Sequence, residues 1–272
     1  MTLSAGAWLL HRAPVYAREP AERVAALLTD ARWPWQPSTI RPTQRAGHAV
    51  YPWPRGKVAR SALQATVLQV FTSELSTGID LVCARTDAAN HAWAHVYNGR
   101  LAPQDEDVPF PLESVMLCRA GAASGDSVDA WLGVVRDLAA LTHAVHGVVW
   151  VGDDEAMILA RQYLMGRPQP RLAPDHPANE SDRVRRARRD LGDRYVRLPG
   201  WATFLRSAHV DAIGGRARLL AAVEPPVVHE LGDLLYVQLS ATVADALAPA
   251  TEARRRALAD LLAPITVPVV AA

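Results

Sequence analysis

The sequence has little of what marks an exported or membrane-bound protein. Only two of its 272 residues are cysteines, and Cys83 and Cys118 each fall in an apolar run typical of a strand, where a thiol behaves as a small hydrophobic side chain. No apolar run is long enough to span a bilayer, and no basic segment precedes the first apolar residues, as it would in a secretory signal. These absences predict a cytoplasmic protein in a reducing compartment, without membrane contact.

Sequence motifs that hold phosphates, dinucleotides or a catalytic serine are also missing. The chain contains no phosphate-binding loop, no glycine-rich dinucleotide fingerprint and no Gly-x-Ser-x-Gly elbow. The 29 basic and 28 acidic side chains leave a net charge of +1, which provides no overall field to attract nucleic acid. The arginines between Arg183 and Arg189 follow Ser181, so a capped, solvent-exposed helix explains them. We therefore expect a protein that is not an enzyme and that has no metal, no cofactor and no nucleic-acid partner.

The first 151 residues show a clear alternation of helical and extended patterns. Three segments have apolar residues at helical spacing, and the predicted helices cover residues 20–32, the segment from Leu63 to a stop at Gly78, and residues 126–146. Runs rich in branched and aromatic residues predict strands at 79–85, 91–97, 115–118 and 147–151. Five prolines between Pro34 and Pro54 predict a long irregular segment that ends at Lys57.

The rest of the chain continues the alternation after a proline-bearing loop at 167–179. Helices are predicted after Asp153, after Ser181, at 201–205 as a single turn, after Gly214-Gly215, and up to Leu262. Strands are predicted at 195–198 and, as a hairpin around Gly232-Asp233, at 227–231 and 234–239. Runs of strands broken by helices of different length predict an α+β fold, with mainly antiparallel sheet flanked by helices.

Two small groups of side chains are candidate metal ligands. His143 and His146 are three residues apart at the end of a predicted helix, where the helix dipole also favours a histidine. Asp153 and Asp154 follow a predicted strand, where carboxylates could bind Mg²⁺ but also favour the start of a helix. A metal-dependent hydrolase that uses these four residues is therefore one alternative function.

The C-terminal part carries a recognisable pattern. The stretch from Arg194 to Leu205 reads RYVRLPGWATFL, and a short spacer then leads to Ile213-Gly214-Gly215, a helix, a valine-rich hairpin and a final amphipathic helix. This pattern resembles that of the type VI secretion immunity family, once known only as a domain of unknown function. The predicted elements between residues 115 and 166 also follow the order of that family.

The resemblance has consequences for the fold. It implies that residues 111–272 form the family core, and that residues 1–110 are a variable N-terminal part of the same α+β unit. It also implies fold roles for five residues. Trp201, Phe204 and Leu205 would form a helical anchor, and Gly214 and Gly215 would form a turn that lets helices approach closely.

The resemblance also implies a function. Members of the family are immunity proteins, which bind a cognate secreted antibacterial toxin and protect the cell that makes it. Relatives are associated with nuclease toxins that act in the cytoplasm, so the expected partner is a nuclease whose active site is occluded. An adaptor of the secretion machine is a second alternative, and the oligomeric state is left open.

Two acidic runs are candidate contacts for such a toxin. They are Asp105, Glu106 and Asp107 in a loop between strands, and Asp153, Asp154 and Glu155 at the start of a helix. Because a nuclease active site is lined with cationic groups that receive phosphate, carboxylates would guide the encounter and fix its register. Loop solubility and the helix dipole explain the same residues.

Overall fold

The computed structural model describes nine segments of the chain, with gaps between them. These are residues 2–11, 15–30, 37–44, 56–74, 76–83, 91–97, 112–121, 125–152 and 192–266. The chain divides into two compact units. The N-terminal unit contains residues 8–144, and the C-terminal unit contains Leu3–Ala7 and the chain from Val145 onward. The first strand, β1 (Thr2–His11), therefore contributes residues to both units. The sequence-based boundary at residue 110 stays a prediction.

The N-terminal unit combines antiparallel strands with three described helices. After β1 come α1 (Arg18–Leu28), β2 (Pro37–Gln44), β3 (Gly56–Lys57), α2 (Arg60–Thr72), β4 (Ser76–Cys83), β5 (His91–Tyr97), β6 (Leu112–Gly121) and α3 (Gly125–Leu141). The strand order is β3-β2-β4-β5-β6, and these neighbours pair antiparallel. The predicted strand at 91–97 matches β5, and the predicted strands at 79–85 and 115–118 fall largely on β4 and β6.

α1 and α2 form where the apolar spacing predicts them, but α2 ends at Thr72 and not at Gly78, because β4 begins at Ser76. Leu63, Val67, Val70 and Phe71 are the fully buried residues of α2, and they recur at intervals of one helical turn. The buried residues of α1 follow the same spacing. α1 packs against both α2 and α3.

The prediction of an irregular segment from Pro34 to Lys57 is wrong, because this segment contains strands β2 and β3. β2 pairs along its length with β4, and β3 covers only Thr39 and Ile40 on its other side. β3 does not extend opposite Pro37 or Pro42. No residue of β3 therefore requires the backbone N–H that each proline lacks. The pairing of β2 with β4 also shifts register between Pro37 and Thr39 and between Thr43 and Gln44.

The C-terminal unit is built on four antiparallel strands in the order β7-β8-β10-β9. Its elements are β7 (Ala144–Gly152, from Val145 onward in this unit), β8 (Ala202–Arg206), α4 (Ser207–Ala212), α5 (Arg216–Val223), β9 (Val227–Leu231), β10 (Leu234–Gln238), a 3-10 turn (Val243–Asp245), α6 (Pro249–Leu262) and a 3-10 turn (Ala263–Ile265). Its hydrophobic core joins one face of β8 and β10 to α4, α5 and α6. Together with the N-terminal unit, this arrangement confirms the predicted α+β fold with mainly antiparallel strands.

The third predicted helix ends earlier than the sequence suggests. α3 ends at Leu141, His143 occupies a turn with φ of 48°, and Val145, His146 and Gly147 already belong to β7. The branched residues of this run favour an extended backbone, and pairing with β8 holds it there. The prediction that His143 and His146 lie in the last turn of a helix is therefore wrong.

The predicted helical turn at 201–205 is also wrong, because residues 202–206 form strand β8. β8 lies between β7 and β10 and is buried on both faces, so its apolar residues do not alternate with polar ones. A short continuous apolar run of this kind fits a buried strand and a helical turn equally well. The predicted strand at 195–198 is an isolated bridge between Val196 and Thr266.

Other local predictions for this unit are confirmed. Gly214 and Gly215 have φ values of 97° and 89° and lead directly into α5, which is the glycine-dependent turn that the sequence predicts. β9 and β10 form the predicted hairpin, with Gly232 in the left-handed region at φ 66°. The predicted arginine-rich helix is also present, as α6.

Candidate functional site

The residues predicted to contact a toxin lie outside the described residues. This applies to the run Asp105, Glu106 and Asp107, and to the run Asp153, Asp154 and Glu155. It also applies to the arginines between Arg183 and Arg189 and to the predicted helix after Asp153. Their roles stay predictions.

His146 is described, and its contacts are structural. The ring is fully buried on β7, and its Nδ1 donates to the Phe204 carbonyl at 2.8 Å. Its Nε2 accepts from the backbone N–H of Arg197 at 3.0 Å, which fixes the neutral tautomer. Both ring nitrogens therefore bind backbone groups, so His146 joins β7, β8 and the segment before Gly200, and it is not positioned to ligate a metal.

His209 of α4 meets His146 edge to face, with ring centroids 6.0 Å apart. Its Nδ1 accepts the backbone N–H of Arg206 at 3.3 Å, as in a helix-capping box. Burial, and then the charge of His209, lower the pKa of His146 to about 3. Burial, and then the Arg206 guanidinium, lower the pKa of His209 to about 4. Both imidazoles are thus neutral at physiological pH, because burial disfavours the charged form.

A buried arginine lies beside this histidine pair. Arg197 is 3% exposed, and its guanidinium lies 5.9 Å from the centre of the Trp150 ring, within the range of a cation–π contact. Its positive charge also disfavours protonation of His146. The interior of the C-terminal unit therefore holds two imidazoles and one guanidinium in fixed positions.

A more exposed polar group surrounds the end of β8. Arg206 forms ion pairs with Asp193 at 3.3 Å and with Asp233 at 3.2 Å. Ser207 donates to Asp233 Oδ1 at 2.5 Å, which together with the arginine lowers the pKa of that carboxyl. Asp233 lies in the hairpin turn and Ser207 is the first residue of α4. These contacts therefore connect the hairpin to the start of α4.

Trp201, Phe204 and Leu205 are buried, as the sequence predicts, although they lie on or next to a strand. Phe204 packs against Tyr236 of β10 with ring centroids 4.9 Å apart. Gly200, just before Trp201, allows a close backbone approach: an added Cβ would lie 2.2 Å from the Val149 carbonyl oxygen. The motif thus fixes the centre of the sheet in the C-terminal unit.

A second buried polar network begins at Trp201 and was not predicted from the sequence. The indole Nε1 donates to Ser240 Oγ at 2.6 Å, and that hydroxyl donates to the Thr242 carbonyl at 2.8 Å. Gln238 accepts from the Tyr236 hydroxyl at 2.6 Å and donates to the Ser240 carbonyl at 2.8 Å. A buried tryptophan needs a partner for its N–H, which is the only signal that the sequence offers for this network.

The network continues into the residues that follow β10. Thr242 donates to Asp245 Oδ2 at 2.8 Å, and Thr251 donates to the Asp245 carbonyl at 2.7 Å. Arg254 of α6 donates to the Leu239 carbonyl at 3.3 Å. These side chains hold the connection between β10 and α6 from both of its ends.

Neither a cluster of metal ligands nor a membrane-spanning helix occurs in the described segments. Within them, no three histidine, cysteine or acidic side chains are grouped as metal ligands would be. Within them as well, no helix has the length and apolar character needed to cross a membrane.

Comparison with known proteins places the fold. No family model and no curated protein sequence matches the chain. Among solved structures, the fold is similar to that of the type VI secretion system (T6SS) protein PA0821 of Pseudomonas aeruginosa. The TM-score is 0.61 at 11% sequence identity, and the similarity covers 97% of this chain and 73% of that chain. At this identity the likeness shows a shared fold.

Proposed function

We propose that this chain is an immunity protein of a type VI secretion system, which binds a cognate antibacterial toxin and protects the producing cell. The observation that carries the proposal is the fold likeness to a T6SS protein, which extends over 97% of the chain. The sequence pattern around Trp201 and Gly214-Gly215 supports it independently, because that pattern resembles an immunity family of the same secretion system.

The proposed mechanism is occlusion and needs no catalytic residue in this chain. A protein that blocks an active site covers roughly 800 Å² on each partner, and a few anchoring side chains supply most of the binding energy. The fixed cores around Phe204 and His146 suit this role, since a rigid surface loses less entropy when it binds.

We further propose that the toxin is a nuclease and that the two meet in the cytoplasm. A nuclease site presents cations to phosphate, so the run Asp105, Glu106 and Asp107 and the run Asp153, Asp154 and Glu155 would complement it. The net charge of +1 gives the chain no general attraction for a basic partner. Any steering would therefore come from such local carboxylates.

Co-expression with the product of the neighbouring gene tests the proposal. We expect the chain to co-purify with that product and to restore growth of cells in which the product is toxic. Capture of a sheath or spike component without any rescue of growth would contradict the proposal and favour the adaptor. Hydrolysis of nucleic acid or esters by the pure chain, lost on Asp153→Asn or Asp154→Asn, would instead favour the metal-dependent hydrolase.

Charge reversal tests the electrostatic part separately. Replacing Asp105, Glu106 and Asp107 by lysines should slow association with the toxin and reduce its salt dependence, while the melting temperature stays the same. The matched control reverses Glu19 and Glu22 on the exposed face of α1. If both acidic runs are neutralised together and the association rate and its salt dependence do not change, the electrostatic part is wrong.

A further inference from the structure

Two buried histidines of the C-terminal unit each accept a hydrogen bond from a backbone N–H. His146 on β7 accepts from Arg197 through Nε2 at 3.0 Å, and His209 on α4 accepts from Arg206 through Nδ1 at 3.3 Å. An imidazole accepts only at its unprotonated nitrogen, and both nitrogens of the charged ring carry a proton. Protonation of either ring therefore places two N–H groups against each other, and a backbone donor loses its partner.

These two hydrogen bonds hold segments that have few other backbone constraints. Next to Arg197, Val196 pairs with Thr266 as an isolated bridge outside the named strands. α4 is a helix of only six residues, and the His209 bond forms part of its N-terminal cap. Segments of this kind open at a lower free energy than the strands and long helices around them. The imidazole contacts are therefore a large part of what keeps residues 192–197 and the start of α4 closed.

The surroundings of the pair oppose a positive charge while the structure is closed. Four charged side chains among the described residues act on the two rings: Asp193, Arg197, Arg206 and Asp233. Arg197 disfavours protonation of His146. Burial and Arg206 outweigh the two aspartates and the Gly192 carbonyl, so the pKa of His209 is lowered to about 4. Because a ring in water has an ordinary pKa near 6.5, an open state binds protons that the closed state excludes.

We propose that the His146–His209 pair is an acid-sensitive switch, which opens residues 192–197 and the start of α4 while the rest of the protein stays folded. This property is separate from the proposed function, and no toxin takes part in it. The rings meet edge to face with centroids 6.0 Å apart, so the opening of one segment exposes the ring that holds the other. Each proton that then binds stabilises the open state, and the equilibrium constant for opening rises as the pH falls.

Amide hydrogen exchange of the full chain tests the switch. After correction for the intrinsic exchange rate, the protection of the Arg197 and Arg206 amides should fall about 30-fold per histidine between pH 7.5 and pH 5, and about 1,000-fold for the pair. Low, non-denaturing urea should leave this exchange unchanged, because a local opening exposes little surface. The amides of Val67 and Val70 in α2 are the reference, and their exchange should rise with urea. If urea accelerates the arginine amides as steeply, only global unfolding exposes the pair, and the switch is wrong.

A variant that cannot charge assigns the effect to the pair. His209→Asn retains an acceptor oxygen for the Arg206 N–H, and the loss of protection at Arg197 should shrink to about 30-fold. The matched control is His143→Asn, which removes an exposed histidine from a turn whose positive φ asparagine also tolerates. It should retain the wild-type pH dependence.

Two results would overturn the assignment to the pair. One is an equal pH dependence in His209→Asn and in the wild type, and the other is a reduced pH dependence in His143→Asn. The urea comparison uses the wild-type chain, so it is decisive even if His209→Asn does not fold. Because no toxin is present in either measurement, failure of the switch leaves the proposed function standing.

Discussion

The two units of this protein stabilise their interiors by different means. In the described part of the N-terminal unit, the large buried side chains are aliphatic and aromatic, with Trp131, Phe71 and Leu63 among them. Its buried polar side chains Ser76 and Thr142 bond backbone groups within four residues of themselves. In the C-terminal unit, buried polar side chains join distant segments: His146 bonds backbone groups of Phe204 and Arg197, and Trp201 bonds Ser240. Apolar packing tolerates exchanges of similar volume, whereas a buried polar group depends on each of its partners. The C-terminal unit should therefore be the less tolerant of substitution.

The largest effect is expected from loss of an aromatic anchor. Phe204→Ala should lower the free energy of unfolding by about 3–5 kcal/mol, because it removes packing against Tyr236 and leaves a cavity between two strands. Urea unfolding followed by circular dichroism measures it. Trp131→Ala in the N-terminal unit is the matched variant and should cost a similar amount. A Phe204→Ala protein that melts normally but no longer binds toxin would move Phe204 from the core to the interface.

The second-largest effect comes from a pair of substitutions that compares the two units directly. His146→Leu should lower the free energy of unfolding by about 2–4 kcal/mol, since each orphaned buried polar group costs about 1–3 kcal/mol. The orphaned groups are the Arg197 N–H and the Phe204 carbonyl. Leu63→Met, a volume-conserving change in α2, should cost less than about 1.5 kcal/mol. Equal costs in the same urea titration would contradict the contrast between the units.

A pH dependence should follow from the two buried imidazoles. Their pKa values fall from 6.5 to about 3 for His146 and about 4 for His209, so the unfolded chain binds more protons below pH 6.5. Their contribution to stability is therefore complete above about pH 6.5 and is lost as the pH falls toward these values. The charged groups that act on the pair are Arg197, Arg206, Asp193 and Asp233.

Urea unfolding between pH 7.5 and pH 5 measures this dependence. The stability should fall with decreasing pH, with a smaller slope in His209→Asn, which removes one of the two titrating groups. The Asp233 carboxyl titrates below its ordinary value of 3.8, so it adds nothing in this range. The same slope in wild type and His209→Asn would show that this buried pair does not control acid stability.

The smallest effect is expected at the surface of the C-terminal unit. Arg206→Gln breaks ion pairs with Asp193 and Asp233, whose side chains are 43% and 59% exposed. Exposed pairs of this kind contribute about 0–1 kcal/mol and weaken with salt. Thermal melting in low and high salt should therefore show a small difference that disappears in high salt. A loss comparable to that of His146→Leu would mean that polar contacts stabilise this unit regardless of burial.

Local pattern was sufficient to predict that α1 and α2 are helices. The apolar residues of α1 and α2 repeat at one helical turn, and one face of each helix is buried as that spacing requires. The turns at Gly214, Gly215 and Gly232 could also be predicted from the sequence, because each of these glycines has a positive φ, which favours glycine. Strong local constraints of this kind do not depend on what the segment packs against.

Strands buried on both faces could not be predicted from the pattern. β8 contacts β7 and β10 on its edges and is buried above and below, so its residues lack alternation. The described side chains of β1, from Ala5 to His11, are all buried for the same reason. β2 was not predicted because it contains two prolines. The sheet tolerates them because β3 pairs with only two residues of β2.

The candidate site was less predictable than the fold, because its contacts join residues that are distant in the sequence. The Trp201 indole meets Ser240 across 39 residues, and the His146 ring meets the Phe204 carbonyl across 58. Nothing in either local segment indicates its partner. The alternative metal site failed at His146 for this reason, since the backbone groups that occupy its ring nitrogens lie in other elements.

The division of β1 between the units affects how the protein is made. Leu3–Ala7 belong to the C-terminal unit, whose remaining residues begin only at Val145. At a translation rate of about 5–20 residues per second, Leu3–Ala7 leave the ribosome roughly 7–30 seconds before Val145, where the rest of their unit begins. During that interval Leu3–Ala7 has no native partner from its own unit. A cut between residues 144 and 145 would separate the C-terminal unit from its first strand permanently, so the two halves should be produced as one chain.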